Sequence, residues 1–361
     1  MAFSIEVMDQ KIPETFPGIN FHYPTRSDWQ HTAQRELEGD DPDEKLTRTI
    51  GKLRIKPYYD HSDAVNLTDF ALVPSQNPHY GPRSWVNLSR VVVKDENQGN
   101  KEALHALQTG ADGILFELTR PLSQYEILLA TIKPEFCHIS FVTHNAYFNL
   151  IEFQRWAENQ PLTGCIFWSD PKAALSPIIS PNFFSQGLLV PSAATVEEEI
   201  SSALLLAVQQ LDRDNAQATI HQIAFSVALG THLFLDIAKL KALRNLWYQV
   251  QGAYGVALKS VHIHACSPAW VQPNYQPHGN MIKATTAALA AILGGCDSLT
   301  VDAEVTAGPM ANRIARNVSS ILREESYLNK VADPIAGSHY LDHLVAEISQ
   351  KAWELFKSKI G

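Results

Sequence analysis

Two histidines, His262 and His264, are the side chains of this sequence with the clearest capacity for chemistry. They alternate with Val261 and Ile263, so a β-strand would place both imidazoles on one face. Two imidazoles at this spacing can ligate one metal ion if further ligands converge from other strands. Three side chains that follow other predicted strands could supply such ligands: His144, Asp170 and Asp302. The alternative, which we favour over a metal site, is that one histidine lines a polar mouth of the fold and the other forms a local hydrogen bond.

The residues after this strand add polar groups that can contact a ligand. Ser267, Trp270 and Asn280 belong to the following loop, where Trp270 serves equally well in packing. The residues predicted to face a ligand are His262, His264, Cys266, Trp270 and Asn280. The sequence contains no GxSxG, HExxH, P-loop or kinase motif, so the chemistry of those classes is not indicated.

Composition and charge exclude several classes of protein. A formal net charge of -9 argues against a nucleic acid or an anionic membrane as the main partner. The four cysteines are far apart and form no CxxC pair, which disfavours a structural zinc or a disulfide framework. The N-terminus lacks the pattern of a signal peptide, and no apolar stretch is long enough to span a bilayer. We therefore expect a cytoplasmic protein with reduced, buried thiols.

From Trp85 onward, short β-branched runs alternate with helical patterns. The predicted strands are 88–93, 113–118, 138–143, 164–168, 187–191, 223–229, 261–265 and 298–302. Eight strand–helix units predict a (β/α)8 TIM barrel, whose active sites lie at the carboxyl ends of the strands. The competing doubly wound sheet usually carries a Gly-rich phosphate loop after its first strand, and none occurs here. A C-terminal extra helix, residues 340–356, should pack outside the barrel.

Residues 1–84 do not show this alternation. We predict that they form an N-terminal extended arm, which wraps either its own domain or a partner subunit. The expected organisation is therefore an arm or subunit-contact segment, 1–84, followed by one barrel domain, 85–361.

Long sequence blocks carry a family resemblance. They are LFLDIAKLKALRNLW (233–247), HACSPAW with NMIKATTAALAAILGGCDSL (264–270 and 280–299), RIARNVSSILREES (313–326) and DPIAGSHYLDHLVAEISQKAW (333–353). With EKLTRTIGKLRIKPYYD and KEALHALQTGADGILFEL nearer the N-terminus, they span nearly the whole chain. The sequence resembles the barrel part of the adenosylcobalamin-dependent methylmalonyl-CoA mutases.

That resemblance implies a function. In this family the barrel threads acyl-CoA along its axis and faces adenosylcobalamin held by a separate C-terminal domain. Homolysis of the cobalt–carbon bond starts a radical isomerisation between methylmalonyl-CoA and succinyl-CoA. The barrel buries the radical away from water and orients the migrating group.

The chain departs from the catalytic members of the family at several positions. It has no Asp-x-His-x-x-Gly motif, so we expect the cobalamin-binding domain to be absent. The Gly-Tyr-His motif of catalytic chains falls on Gln186, Gly187 and Leu188, which removes the phenol and the imidazole. WVNLS stands where catalytic chains have an Arg-Gln-Tyr run. His264 matches a family histidine, but His262 replaces the usual arginine.

With these losses the chain resembles the small, non-catalytic subunit of heterodimeric mutases. The resemblance implies that this chain has no catalytic residue and that its partner is a catalytic mutase subunit. Self-association is the alternative to that partner. Adenosylcobalamin is expected in the complex and not on this chain alone, while acyl-CoA binding stays open. Two alternatives remain: an active mutase barrel that uses a separate cobalamin-binding chain, and a metal-dependent hydrolase that uses His262 and His264.

Overall fold

The computed structural model describes residues 24–63, 65, 72, 74–75, 81–170, 180, 182–213, 215–268, 279–304 and 309–360. Trp270, one of the residues predicted to face a ligand, lies outside these ranges. Contacts divide the chain into two compact units, Met1–Asp60 and His61–Gly361.

The described part of the first unit contains two helices and a hairpin. Helices α1 (Arg26–Glu36) and α2 (Pro42–Leu46) are followed by the antiparallel strands β1 (Arg48–Ile50) and β2 (Leu53–Ile55). A capping box starts α1, because the hydroxyl of Thr25 and the carboxylate of Asp28 each accept a backbone N–H of the other residue. Trp29 stacks on Tyr58 with ring centroids 4.9 Å apart, which ties α1 to the segment after the hairpin.

The second unit is built on eight parallel strands that close into a barrel. They are β3 (Val86–Val93), β4 (Gly113–Leu118), β5 (His138–Thr143), β6 (Gly164–Trp168), β7 (Phe183–Leu189), β8 (Ile223–Ala228), β9 (His262–Ser267) and β10 (Ser298–Val301). Each strand pairs with the next in the sequence, and β10 returns to β3. The predicted (β/α)8 barrel is confirmed. Strand β7 begins four residues before its predicted start, because Phe183 and Phe184 already pair with Gly164 and Cys165 of β6 ahead of a register shift.

Helices surround the barrel: α3 (Glu96–Gln108), α4 (Tyr125–Leu128), α5 (Leu150–Ala157), α6 (Val196–Leu211), α7 (Ala216–Thr219), α8 (Leu233–Ala253), α9 (Gly279–Gly294), α10 (Pro309–Glu324) and α11 (His339–Ile360). Thr195 caps α6, since its hydroxyl accepts the Glu198 N–H at 3.3 Å. The predicted extra helix, α11, packs on α6 and α8. Within the described ranges, no helix combines the length and the apolar character that crossing a bilayer requires.

A buried arginine fixes the start of β9 and β10. Arg244 of α8 donates from Nη1 to the Val261 carbonyl at 2.8 Å and from Nη2 to the Gly295 carbonyl at 2.7 Å. Its Nη2 also pairs with the Asp297 carboxylate at 2.8 Å, and that carboxylate accepts the Ile263 N–H. Arg244 is only 4% exposed, so its hydrogen bonds are shielded from water. They fix the position of β9 along the barrel axis, and with it the positions of His262 and His264.

Candidate functional site

Strand β9 places three candidate side chains inside the barrel, one above another. His262, His264 and Cys266 are separated by single residues, so all three point to the same side of the strand. Their partners come from the neighbouring strands and form three layers along the axis. The lower layer lies at the amino ends of the strands, and the upper layer lies at the carboxyl ends.

His262 forms the lower layer. Its ring lies 5.2 Å from the ring of Phe184, and its Nε2 pairs with the hydroxyl of Ser298 at 2.9 Å. Burial lowers the pKa of His262, although the nearby Asp297 opposes that shift. His262 opens β9, so it lies at the end of the barrel away from the usual position of an active site.

His264 forms the middle layer and is completely buried. Its Nδ1 pairs with the Ser226 hydroxyl at 2.8 Å, its Nε2 with the Thr300 hydroxyl at 3.0 Å, and its ring lies 5.2 Å from that of Phe167. Burial lowers the pKa of His264 well below its ordinary value, and Arg90 and His262 lower it further. The imidazole is therefore neutral, and both nitrogens are already occupied.

The ligands that a metal site would need are not brought to these histidines. His144 caps the turn after β5, where its Nδ1 accepts the Ala146 N–H at 3.4 Å, and Asp302 is engaged by an arginine. In the described ranges, no group of three or more His, Cys, Asp or Glu side chains has the arrangement of a metal site. Both histidines form local hydrogen bonds, as the alternative to a metal site predicts for one of them, but neither lines the mouth of the barrel.

The upper layer is a charged cluster of four side chains, which we call the mouth cluster: Arg90, Glu117, Cys266 and Asp302. The Arg90 guanidinium contacts the Asp302 carboxylate at 2.7 Å and the Glu117 carboxylate at 2.9 Å. It also donates to the Cys266 sulfur at 3.2 Å, while the thiol donates to Asp302 at 3.3 Å. Ion pairs that satisfy one another thus line the mouth of the barrel at the ends of β9, β10, β3 and β4.

Electrostatics fix the protonation states of this cluster. Burial, aided by Asp302, raises the pKa of Cys266 to about 12, so the thiol is protonated and is a poor nucleophile at neutral pH. Burial alone would lower the pKa of Arg90, but Cys266 and the two carboxylates raise it. Arg90 and Glu117 are not among the site residues predicted from the sequence. Each was visible as the single charge inside an apolar strand, VNLSRVVV or GILFEL.

Gly187 occupies a crowded position on the inner face of β7. A Cβ built on it would meet the Ile166 carbonyl oxygen at 2.5 Å and the Phe167 ring at 2.8 Å. Since Phe167 belongs to the inner apolar cluster, this position has no room for a tyrosine side chain.

Leu188 faces the other way. It is paired in register with Trp168 and Phe225, whose rings contact Phe148 and the α8 residue Trp247 on the helix side of the sheet. The adjacent Leu189 packs with the inner cluster instead. The side chains on both faces of β7 at this point, Leu188 and Leu189, are therefore aliphatic, and neither replaces the histidine of the Gly-Tyr-His motif.

Asn280 lies apart from the histidines, in the first turn of α9. Its amide donates to the Glu304 carboxylate at 3.1 Å, and it lines a cavity of about 210 Å³ between α9 and α10. The other lining residues are mostly apolar. The predicted ligand-facing residues in the described ranges thus divide into the barrel axis and this separate cavity.

Comparisons with known proteins find similarity to one family, the methylmalonyl-CoA mutases. The methylmalonyl-CoA mutase family model matches residues 194–360. The methylmalonyl-CoA mutase small subunit of Porphyromonas gingivalis is 26% identical, over 97% of this chain and 64% of its own length. The methylmalonyl-CoA mutase small subunit of Streptomyces virginiae is 36% identical over 46% of this chain and 29% of its own length. The methylmalonyl-CoA mutase of Cereibacter sphaeroides is 24% identical over 91% of this chain and 57% of its own length. The chain spans less than two thirds of the length of these relatives.

Proposed function

We propose that this chain, whose barrel is that of the methylmalonyl-CoA mutase family and resembles its small subunits, supports a catalytic partner chain without performing chemistry itself. The observation that carries this proposal is the filled axis of the barrel. A complex of the two chains would then carry the isomerase activity, with methylmalonyl-CoA and succinyl-CoA as its substrates.

A filled axis is incompatible with an acyl-CoA molecule threaded through it. Phe167 and His264 have no exposed surface, and the mouth cluster places paired charges at the carboxyl end of the axis. Opening this path would break the hydrogen bonds of a buried imidazole and expose apolar rings, at a cost of several kcal/mol. The chain is therefore proposed not to bind acyl-CoA along its axis.

Adenosylcobalamin does not fit the mouth of this barrel as a ligand of this chain. The four side chains of the mouth cluster are engaged with one another, and the Cys266 thiol holds its proton. None of them is free to coordinate cobalt, which thiolates or neutral imidazoles would do. We assign the cofactor to the partner side of the proposed complex.

The hydrolase alternative has less support, because a metal ion needs ring nitrogens with free lone pairs. Both nitrogens of His264 pair with hydroxyl groups, and His262 pairs with Ser298. The four cysteines, all buried and unpaired, agree with the reducing cytoplasm that we propose for this protein.

An apolar strip on α9 and α10 is the surface that we propose for the partner chain. Met310 is 59% exposed and Met281 and Ile314 are each 39% exposed, and all three line the cavity between α9 and α10. Contiguous apolar side chains on a surface mark interaction sites more often than isolated ones do. The segment 1–84 is proposed as a second contact with the partner.

Mixing this chain with a catalytic mutase chain should give a stable heterodimer in sedimentation velocity. Met310→Glu should weaken that heterodimer by at least about tenfold, since a charge would be buried at the contact. Ile151→Glu is the matched control, because Ile151 is 71% exposed on α5, away from the strip. This substitution should leave the Kd unchanged.

Two results would contradict the proposal. One is the absence of any complex under all conditions. The other is turnover of methylmalonyl-CoA by this chain when only a cobalamin-binding chain is added, which would establish the active-barrel alternative.

A further inference from the structure

A groove of about 950 Å³ lies between α3 and α10, outside the barrel. Its polar lining includes Glu102, His105, Thr109, Arg313 and Arg316. The groove overlies the place where the last strand meets the first. Only two residue pairs join β10 to β3 in register, Ser298 with Val86 and Leu299 with Asn87. This seam is the shortest in the barrel.

Arg316 is a buried charge without a counter-charge. The residue is 8% exposed and makes one hydrogen bond, from Nη2 to the neutral Thr109 hydroxyl at 2.9 Å. Its Nε has no hydrogen-bond partner, and no described carboxylate lies within ion-pair distance. Among the other buried arginines, Arg244 and Arg323 each pair with an aspartate at 2.8 Å. Arg83 donates to two backbone carbonyls, so Arg316 differs from all three in making a single side-chain hydrogen bond, to a neutral hydroxyl.

Arg313 adds a second positive charge on the same face of α10, one helical turn earlier. It is exposed and forms no ion pair with a described residue. Burial and the neighbouring Arg313 lower the pKa of Arg316, which shows that the two guanidinium groups repel each other. An uncompensated buried charge is costly unless an anion joins it.

We propose that this groove binds the phosphate group of a small phosphorylated ligand through Arg313 and Arg316. A dianion compensates two guanidinium groups, and arginine matches phosphate geometry through paired hydrogen bonds. The volume of the groove, about 950 Å³, is larger than an inorganic ion needs and lies within the range of small-molecule sites. The volume not filled by phosphate would hold an organic moiety. Its carboxylate, Glu102, accepts a hydrogen bond from Gln98 at 2.8 Å and would keep the anion at the arginine end.

Occupancy of this site has a structural consequence. A phosphate held by α10 and hydrogen-bonded near Thr109 of α3 links the helices on either side of the β10–β3 seam. Because only the folded chain offers this link, the ligand stabilises the closed barrel.

The test uses the purified chain with two probes, inorganic phosphate and AMP, at constant ionic strength. Acetate at equal ionic strength serves as the comparison anion. At about 5 mM either probe should raise Tm by roughly 2 °C or more and broaden its ³¹P resonance. Arg313→Gln should at least halve both effects without impairing folding, since Arg313 is exposed. Arg155→Gln removes the same charge from an exposed pair on α5 and should preserve both effects.

Arg316→Gln provides an independent measurement. It should abolish the Tm shift, and without phosphate its Tm should not fall below that of the wild type, because the charge removed has no partner. If AMP binds with a lower Kd than inorganic phosphate does, the site belongs to phosphorylated metabolites. If inorganic phosphate binds with the lower Kd, the site belongs to free phosphate. Equal shifts in the wild type and Arg313→Gln, an equal shift with acetate, or no ³¹P broadening would overturn the proposal.

Discussion

Replacement of His264 by alanine distinguishes a structural imidazole from one that handles a substrate. The side chain has no exposed surface and pairs with the hydroxyls of Ser226 and Thr300. Its removal leaves a ring-sized cavity next to Phe167 and two buried hydroxyls without their partner. Cavity and lost hydrogen bonds together should lower the free energy of unfolding by about 3–5 kcal/mol at pH 8.

The same variant should show a smaller deficit in acid. Because the folded pKa of His264 is depressed, the unfolded chain takes up a proton at this residue below about pH 6.5 while the folded chain does not. The wild type therefore loses stability as pH falls through that value, by about 2 kcal/mol at pH 5 from this one histidine. His264→Ala lacks that penalty, so its deficit at pH 5 should be about 2 kcal/mol smaller than at pH 8.

Urea unfolding at pH 8 and pH 5 measures both effects, and His31→Ala, which removes an exposed imidazole, is the control. The midpoint for the control should coincide with that of the wild type at both pH values. A deficit for His264→Ala that does not change with pH would refute the buried neutral imidazole. A 100-fold loss of turnover in the heterodimer, with stability intact, would instead show that His264 acts on a substrate and that the proposed function is wrong.

Two further substitutions test the inner face and the mouth. Gly187→Ala should lower the free energy of unfolding by about 1–3 kcal/mol, because the added Cβ meets the Ile166 carbonyl oxygen at 2.5 Å. The control Gly252→Ala, whose Cβ meets nothing within 4 Å, should leave that free energy unchanged or raise it. Equal urea midpoints for the two variants would contradict this packing. Asp302→Asn should lower the pKa of Cys266 below about 12, because it removes a carboxylate that helps to raise that pKa. The absorbance of the thiolate in the ultraviolet measures this titration. An unchanged titration would show that burial alone sets the pKa of Cys266.

Much of the barrel could be predicted from local patterns. Strand β4 has the predicted bounds, 113–118, and Thr195, ahead of three consecutive glutamates, marks the start of α6. The apolar run over 122–133 is longer than the helix it contains, since α4 covers only Tyr125–Leu128. A positive φ of 61° at Thr131 turns the chain soon after it, and propensity alone does not predict such a conformation.

The candidate site divides in the same way between sequence and tertiary structure. Alternation along β9 placed His262, His264 and Cys266 on one face, because a strand's period of two is a local property. Which groups those side chains meet is not local. Arg90 finds Asp302 across 212 positions of sequence, and the Ser226 and Thr300 hydroxyls reach His264 from two different strands.

By itself the sequence determined the strand–helix order, the apolar faces and the resemblance to one family, since each follows from residue types at short spacing or in long blocks. Only the tertiary structure decided that ion pairs line the mouth, that both nitrogens of His264 are occupied and that Arg316 has no carboxylate partner among the described residues. Closure of the barrel brings distant strands within hydrogen-bonding distance. The protonation state and availability of each polar group depend on those neighbours and not on its own sequence position.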